Sequence, residues 1–409
     1  MADQLNECQA KAMGALASGR NVFLTGAAGT GKSHLTRHFL KGRGRSSFPV
    51  VASTGAAALL IGGRTFHSFF GLGTMAGSIE RVVAEALTKD KVVNRLRAAK
   101  GVLIDEISMI PGDALDAAEQ IARLVRGASK PWGGLQVVVV GDFRQLPPVN
   151  QYGPPDWCFN SKAWKKSDFY PVMLKTPMRS TDPAFLEVLN RVRVGQVTSE
   201  VEAFLRSRML FVPDDVPRLF GRRGDVEGYN LGKLAELAGE ERVYRTLYWG
   251  KTESYEEQIK RNAPVPGMLR LKTGSLIMLR ANDPDFAYVN GSLGWVRQLG
   301  AIEVVVELAT GSTVVIEETT FTMKDGHGDD VASATNFPIN LAWATTIHKS
   351  QGCTLDKMAV DLSDLWDAGQ AYVALSRVRS PEGLYIMGWD RTSIKSHPAV
   401  TEFHRKLFS

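Results

Sequence analysis

Gly26-Ala27-Ala28-Gly29-Thr30-Gly31-Lys32-Ser33 decides the fold. The stretch has the form G-x-x-x-x-G-K-[ST], follows the apolar run Val22-Phe23-Leu24 and precedes a helical pattern. That is the strand–loop–helix setting of a phosphate-binding loop. Its glycines let backbone N–H groups wrap an anion, Lys32 brings a point charge to the β- and γ-phosphates of ATP, and the Ser33 hydroxyl can ligate Mg2+. The nucleotide contacts expected of this loop are Gly26, Ala28, Gly29, Thr30, Gly31, Lys32 and Ser33.

Outward from the loop, Val50–Ala52, Val102–Ile104 and Val137–Val140 read as further buried strands, the rhythm of a parallel α/β sheet. Between the last two, Leu115, Ala118, Ile121, Ala122 and Val125 recur at helical spacing, with Asp113 as the expected N-cap. Asp105 and Glu106 end one strand, where the first can hold Mg2+ through water and the second can deprotonate an attacking water. Gln145 follows another strand and reaches the same sheet edge, a candidate sensor of the γ-phosphate. Asp182-Pro183 caps a helix whose apolar face is Phe185, Leu189 and Val192.

From about Tyr244 to Phe321 the texture changes to short strands, Leu276–Leu279, Trp295–Arg297, Glu303–Glu307 and Thr313–Ile316, which predict a small β-barrel. Strands at Ala359–Leu362 and Leu384–Met387, flanking a helix around Tyr372–Arg377, restore the α/β rhythm. The expected layout is an α/β protein with a first lobe over 1–175, a second over 176–409 and a barrel inserted at 240–335.

The chain has 409 residues, 44% of them hydrophobic, enough for two or three cores. No apolar run is long enough for a membrane span, and the first residues lack a secretory pattern, so a cytoplasmic, nucleoid-associated protein of bacterial or phage origin is expected. Cys8, Cys158 and Cys353 are far apart and suggest neither zinc nor disulfides. A formal charge of +6 suits a phosphate-backbone partner without requiring one.

Beyond the phosphate loop, several segments resemble motifs of the Pif (petite integration frequency) family, superfamily one helicases that move 5′ to 3′ on DNA. They are Thr54-Gly-Ala-Ala-Ala58, Thr65-Phe-His67-Ser68-Phe69, Ala342-Trp-Ala-Thr-Thr-Ile-His348-Lys349-Ser350-Gln351-Gly352 and Gly369-Gln-Ala-Tyr372-Val-Ala-Leu-Ser376-Arg377. The stretch from Asp113 through Ile121-Ala-Arg123 to Lys130-Pro-Trp-Gly-Gly-Leu-Gln136 is similar to the segment that separates this family from its RecD and Dda relatives.

The resemblance implies two RecA-like P-loop NTPase domains, a wedge insertion near 71–100 in the first and a Src-homology-3-like barrel in the second, the latter carried by Asn282 and Val289-Asn290-Gly291-Ser292. It implies that Gln9 reads adenine, that Arg179 and Arg377 reach the γ-phosphate as arginine fingers, and that DNA meets Thr54, His67 and Phe69 on one lobe and Thr346, His348 and Ser350 on the other. Catalysis would then rest on Lys32, Glu106, Gln145, Arg179 and Arg377, with Ser33 and Asp105 holding Mg2+. The implied partners are single-stranded DNA and tailed or forked duplex, with G-quadruplexes and RNA–DNA hybrids as further substrates, for a motor that is a monomer in solution.

The chain departs from the family pattern in three places: Trp132 stands where Phe is usual, Ser180 where Gln is usual, and Leu219-Phe-Gly-Arg222-Arg223 where a Thr-Asn pair is common. Two other readings are an ATP-switched strand-binding or remodelling protein and a RecD-like subunit of a recombination nuclease complex. The full set of catalytic residues opposes the first, and the segment 113–136 opposes the second.

Overall fold

The computed structural model describes residues 5–44, 47–53, 64–73, 75, 77–148, 153–214, 216–281, 283, 287–288, 291–324 and 329–408. Strands β1 (Val22–Gly26), β2 (Val50–Ala52), β3 (Arg64–Thr65), β4 (Gly101–Asp105), β5 (Gln136–Val140) and β6 (Tyr170–Leu174) form one sheet in the order β3-β2-β4-β5-β1-β6. Every pairing in it is parallel. β1, β4 and β5 are mostly apolar because helices cover both faces, and nearly all their residues are buried. The helix Gly112–Arg126 buries Leu115, Ala118, Ile121, Ala122 and Val125 against this sheet. Its N-cap is Pro111 rather than the expected Asp113, which stands inside the first turn and donates its backbone N–H to Asp156 Oδ2 at 2.9 Å.

Trp132, the departure from Phe, is fully buried at a left-handed φ of 57°. Its indole N–H donates to Ser167 Oγ at 2.7 Å, which satisfies the polar edge that a phenyl ring lacks.

The second lobe begins with the helix Pro183–Arg193, capped by Asp182, whose side chain accepts from Phe185 N at 2.8 Å. β7 (Arg218–Phe220) follows, and the chain then leaves this lobe for ten strands: β8 (Arg242–Arg245), β9 (Leu247–Gly250), β10 (Met268–Leu271), β11 (Leu276–Leu279), β12 (Leu293–Leu299), β13 (Glu303–Leu308), β14 (Thr313–Glu317), β15 (Thr319–Lys324), β16 (Asp330–Asn336) and β17 (Ile339–Leu341). They form a five-stranded antiparallel sheet, β14-β13-β12-β11-β17, beside β15-β16-β9 and β10-β8. Leu269, Ile277, Val296, Val306, Ile316 and Phe337 share one core, so sheets that are separate in hydrogen bonding close around a common interior. Asn282, Val289 and Asn290 lie outside the described residues.

The chain returns through β18 (Ala344–Thr346), β19 (Met358–Leu362) and β20 (Leu384–Trp389), which join β7 in a parallel sheet ordered β18-β7-β19-β20. The last helix, Pro398–Phe408, crosses back to the first lobe. Phe403 stacks on Phe159 with centroids 4.4 Å apart and meets Phe23, Phe143 and Trp164 edge-on or tilted. Among the described residues no helix is long and apolar enough to cross a membrane, and the three cysteines are free thiols.

Candidate nucleotide site and nucleic-acid interface

The phosphate loop leaves β1 at Gly26 and enters the helix Lys32–Leu40 through Gly31, which holds a left-handed φ of 83°. Two of its glycines are required by close neighbours. A Cβ on Gly26 would lie 2.5 Å from Leu174 O, and one on Gly29 would lie 2.5 Å from Cβ of Arg179. Thr30 is buried and its hydroxyl donates to Ala27 O at 2.9 Å, bracing the loop from inside. Lys32 Nζ donates to Gly26 O at 2.8 Å and Ala27 O at 3.1 Å, and burial lowers its pKa despite Asp142 and Glu106 nearby.

Gln9 packs against Gly31 from the helix Glu7–Ala17. Its Oε1 accepts from Asn6 N at 3.2 Å in a capping box, while its buried Nε2 has no hydrogen-bond partner. A buried amide N–H left unpaired at the rim of a phosphate loop is what a nucleobase acceptor would satisfy.

Asp105 and Glu106 sit where β4 ends. Glu106 adopts a left-handed φ of 51° and donates its backbone N–H to Asp105 Oδ1 at 2.9 Å. Such strain in a non-glycine residue persists where the surroundings enforce it, often in active sites. Burial and then the Asp105 charge push the Glu106 carboxyl up to about 7, and burial also raises Asp105. Gln351 links Glu106 and Gln145: its Nε2 donates to Glu106 Oε2 at 3.1 Å and to Gln145 Oε1 at 3.4 Å. Gln351 was quoted in a motif but given no role from sequence, because only the folded chain brings β18's loop to β4's end.

Both expected arginines reach this cleft. Arg377 is buried, donates from Nε to Val373 O at 2.7 Å and from Nη2 to Ser376 Oγ at 2.8 Å, and is lowered to about 10 by burial and then by Arg179. Arg179 donates to Ser376 O at 2.5 Å. A cavity of about 310 Å³ is lined by loop residues Gly29, Lys32 and Ser33, by Glu106 and Gln145, and by Arg179 and Arg377. Two cross-lobe contacts went unforeseen. The Ala28 N–H donates to the Tyr372 hydroxyl at 2.7 Å, and Arg193 pairs with the buried Asp142 at 2.8 Å.

The residues expected to touch DNA are less uniformly placed. Thr54 lies outside the described residues. His67 is half-buried with its pKa lowered by burial, whereas Phe69 is 3% exposed and packs edge-on to Phe70, so its ring presents no open face. Thr346 Oγ1 accepts from Lys349 N at 3.2 Å, and Ser350 Oγ donates to Ile347 O at 2.7 Å. Both hydroxyls are buried and shape the turn after β18. His348 is half-exposed, 3.8 Å from Asp367, and burial lowers its pKa.

A phosphate loop faced by arginines from a second parallel sheet defines a two-lobed P-loop NTPase. Residues 4–203 match the family model described as PIF1-like helicase. Over 406 residues the chain is 46% identical to the ATP-dependent DNA helicase Pif1 of Bdellovibrio bacteriovorus, covering 99% of this chain and 92% of that protein. It is 38% identical to the Xenopus laevis ATP-dependent DNA helicase PIF1, spanning 64% of that longer protein. The structure is similar to that of a Pif1 helicase from Candida albicans, with a TM-score of 0.87, 36% identity and 99% of each chain covered. It is also similar to a Bacteroides Pif1 helicase in complex with ADP-AlF3 and ssDNA, with a TM-score of 0.74, 31% identity and 98% and 97% of the two chains covered. The chain belongs to the PIF1-like helicase family.

Proposed function

We propose that the protein is an ATP-dependent DNA helicase that translocates 5′ to 3′ on single-stranded DNA, as a monomer, and opens tailed or forked duplex. The observation that carries this is the shared cleft: Lys32, Glu106 and Gln145 on the first lobe face Arg179 and Arg377 on the second. ATP bound there draws the lobes together, and hydrolysis frees them, a hinge cycle of differential affinity. Support for DNA as the track comes from relatives named as DNA helicases and from a similar structure that holds ssDNA. We assign residues 1–175 and 176–409 to the two lobes, with the last helix of the second, Pro398–Phe408, packed on the first, and 240–335 to the insertion. G-quadruplexes and RNA–DNA hybrids are the further substrates, and the nucleoid is the site of action.

In this assignment Gln9 holds adenine, and the backbone from Gly26 to Ser33 wraps the phosphates. Glu106 takes a proton from the attacking water, Gln145 orients that water, and the two arginines spread the developing charge. Ser33 and Asp105 would hold Mg2+, which neutralises phosphate charge when bound. The donor set fits, because burial raises the Asp105 carboxyl even with the Lys32 charge nearby, so a bound cation would favour its ionised form. His67 and His348 offer ring faces to the strand, and Thr346 and Ser350 serve that edge by shaping the turn that carries His348.

The test is ATP-dependent unwinding of matched duplexes with a 5′ or a 3′ tail, beside Lys32→Ala. Unwinding with the 5′ tail alone, lost in the variant, is the expected result. DNA-stimulated hydrolysis without unwinding of either substrate would overturn the helicase reading in favour of the ATP-switched one.

A further inference from the structure

We infer that Trp366 and Arg222 form a base-stacking platform for single-stranded DNA on the second lobe, an inference that rests on the DNA-motor reading above. β18, β7 and β19 run parallel and adjacent, so the segments that follow them line one edge of the sheet. These segments carry His348 and Lys349, Gly221 and Arg222, and Trp366.

Trp366 is 47% exposed although its neighbour Leu365 is buried in the lobe's core, so the ring stands beside the core and half in solvent. Its outer edge lies over Gly221, where a Cβ would come within 3.1 Å of the indole, tighter than almost any real contact. Any larger residue at 221 would press on the ring. The Arg222 guanidinium sits 5.7 Å from the ring centroid and is fixed by Asp364 at 2.5 Å. With the guanidinium over one ring face, its own outer plane and the uncovered part of the half-exposed indole remain for bases, a pairing of cation and aromatic that holds single strands without regard to sequence.

Charge decides which part of the strand each group meets. Asp364 and Asp367 flank Trp366, which disfavours a phosphate directly above the ring and leaves it to a base. Arg223 and Lys349 lie near each other on the same edge, where phosphates on either side of that base would fall.

The test is anisotropy titration of fluorescein-labelled oligothymidylate, and of the same strand made abasic, with the full chain, Trp366→Ala, Trp366→Phe and Arg222→Ala. Trp366→Ala should bind oligothymidylate about 5- to 100-fold more weakly, lose almost nothing on the abasic strand, and still melt cooperatively. Trp366→Phe, which keeps a flat face, should stay near wild type. Arg222→Ala should weaken both strands and reduce the salt slope by about one. Oligothymidylate binding by Trp366→Ala equal to wild type, or an equal loss on the abasic strand, would overturn the platform while leaving the motor intact. Failure of the unaltered chain to bind either strand would overturn the DNA reading and the platform together.

Discussion

Arg193 grips Asp142 through two hydrogen bonds, Nε to Oδ2 at 2.9 Å and Nη2 to Oδ1 at 2.8 Å, with the carboxylate fully buried between the lobes. Burial alone would raise the Asp142 carboxyl, but the charge and hydrogen bonds of Arg193 outweigh it and hold the group below the ordinary range. Removing the cation strands a buried charge, so Arg193→Ala should cost about 3–5 kcal/mol in urea denaturation. The folded pKa is depressed, so the stabilisation is complete above the ordinary Asp value and is lost as pH falls through the depressed one. Stability measured against pH should therefore drop in acid for the unaltered chain and be flatter there for Asp142→Asn.

Glu106 makes the opposite prediction. With its carboxyl pushed up to about 7, chiefly by burial, DNA-stimulated hydrolysis should rise with pH through that region as the base ionises. Glu106→Gln should lower kcat by about 10²- to 10⁴-fold while ATP still binds. A raised folded pKa means that ionisation costs stability progressively as pH climbs from the ordinary Glu value to about 7. The glutamine carries no such cost, so Glu106→Gln should melt higher than the unaltered chain at pH 8 and show no such advantage at pH 4.

Gln351 is a positioning residue for the same step. Replacing it with Ala removes the amide that holds Glu106 and Gln145 together and should lower kcat by about 10- to 100-fold with little change in KM for ATP. Its hydrogen bond also lowers the Glu106 pKa, so the pH–rate limb of Gln351→Ala should move to higher pH. An unmoved limb would reduce Gln351 to packing.

Phe403 carries a structural prediction. Its partly buried ring is stacked on Phe159 and met by Phe143 and Trp164, so Phe403→Ala strips cover from the first lobe's core and should cost about 1–3 kcal/mol. Thermal or urea melting would read this, and a loss below about 1 kcal/mol would show that the aromatic cluster closes over the gap.

Local chemistry was legible in the sequence and long-range packing was not. β2 and β11 run over the residues expected, and the Asp182 cap is in place, because a short apolar run or a cap is written in neighbouring side chains. The helix Glu253–Asn262 went unseen: charges dominate it, and only Ile259 faces the alanines of β16. Asp113 missed the cap position by two residues because Pro111 already supplies the extended backbone there. At the site, the phosphate loop, the carboxyl pair and the two arginines were legible as motifs. Tyr372 and Arg193 were not assigned there, because each acts on a residue of the other lobe far away in sequence. Phe69 shows the limit of reading an aromatic as a platform: a ring in a helix of five residues, three of them buried phenylalanines, packs inward.

The helix Pro398–Phe408 returns to the first lobe after the second is complete, so the polypeptide passes between the lobes twice, once after Leu174 and again after Ile394. A body attached to another at one point can swivel in any direction. Attached at two, it turns only about the line through both. The second passage therefore does more than add buried surface: it limits the directions in which one lobe could turn against the other.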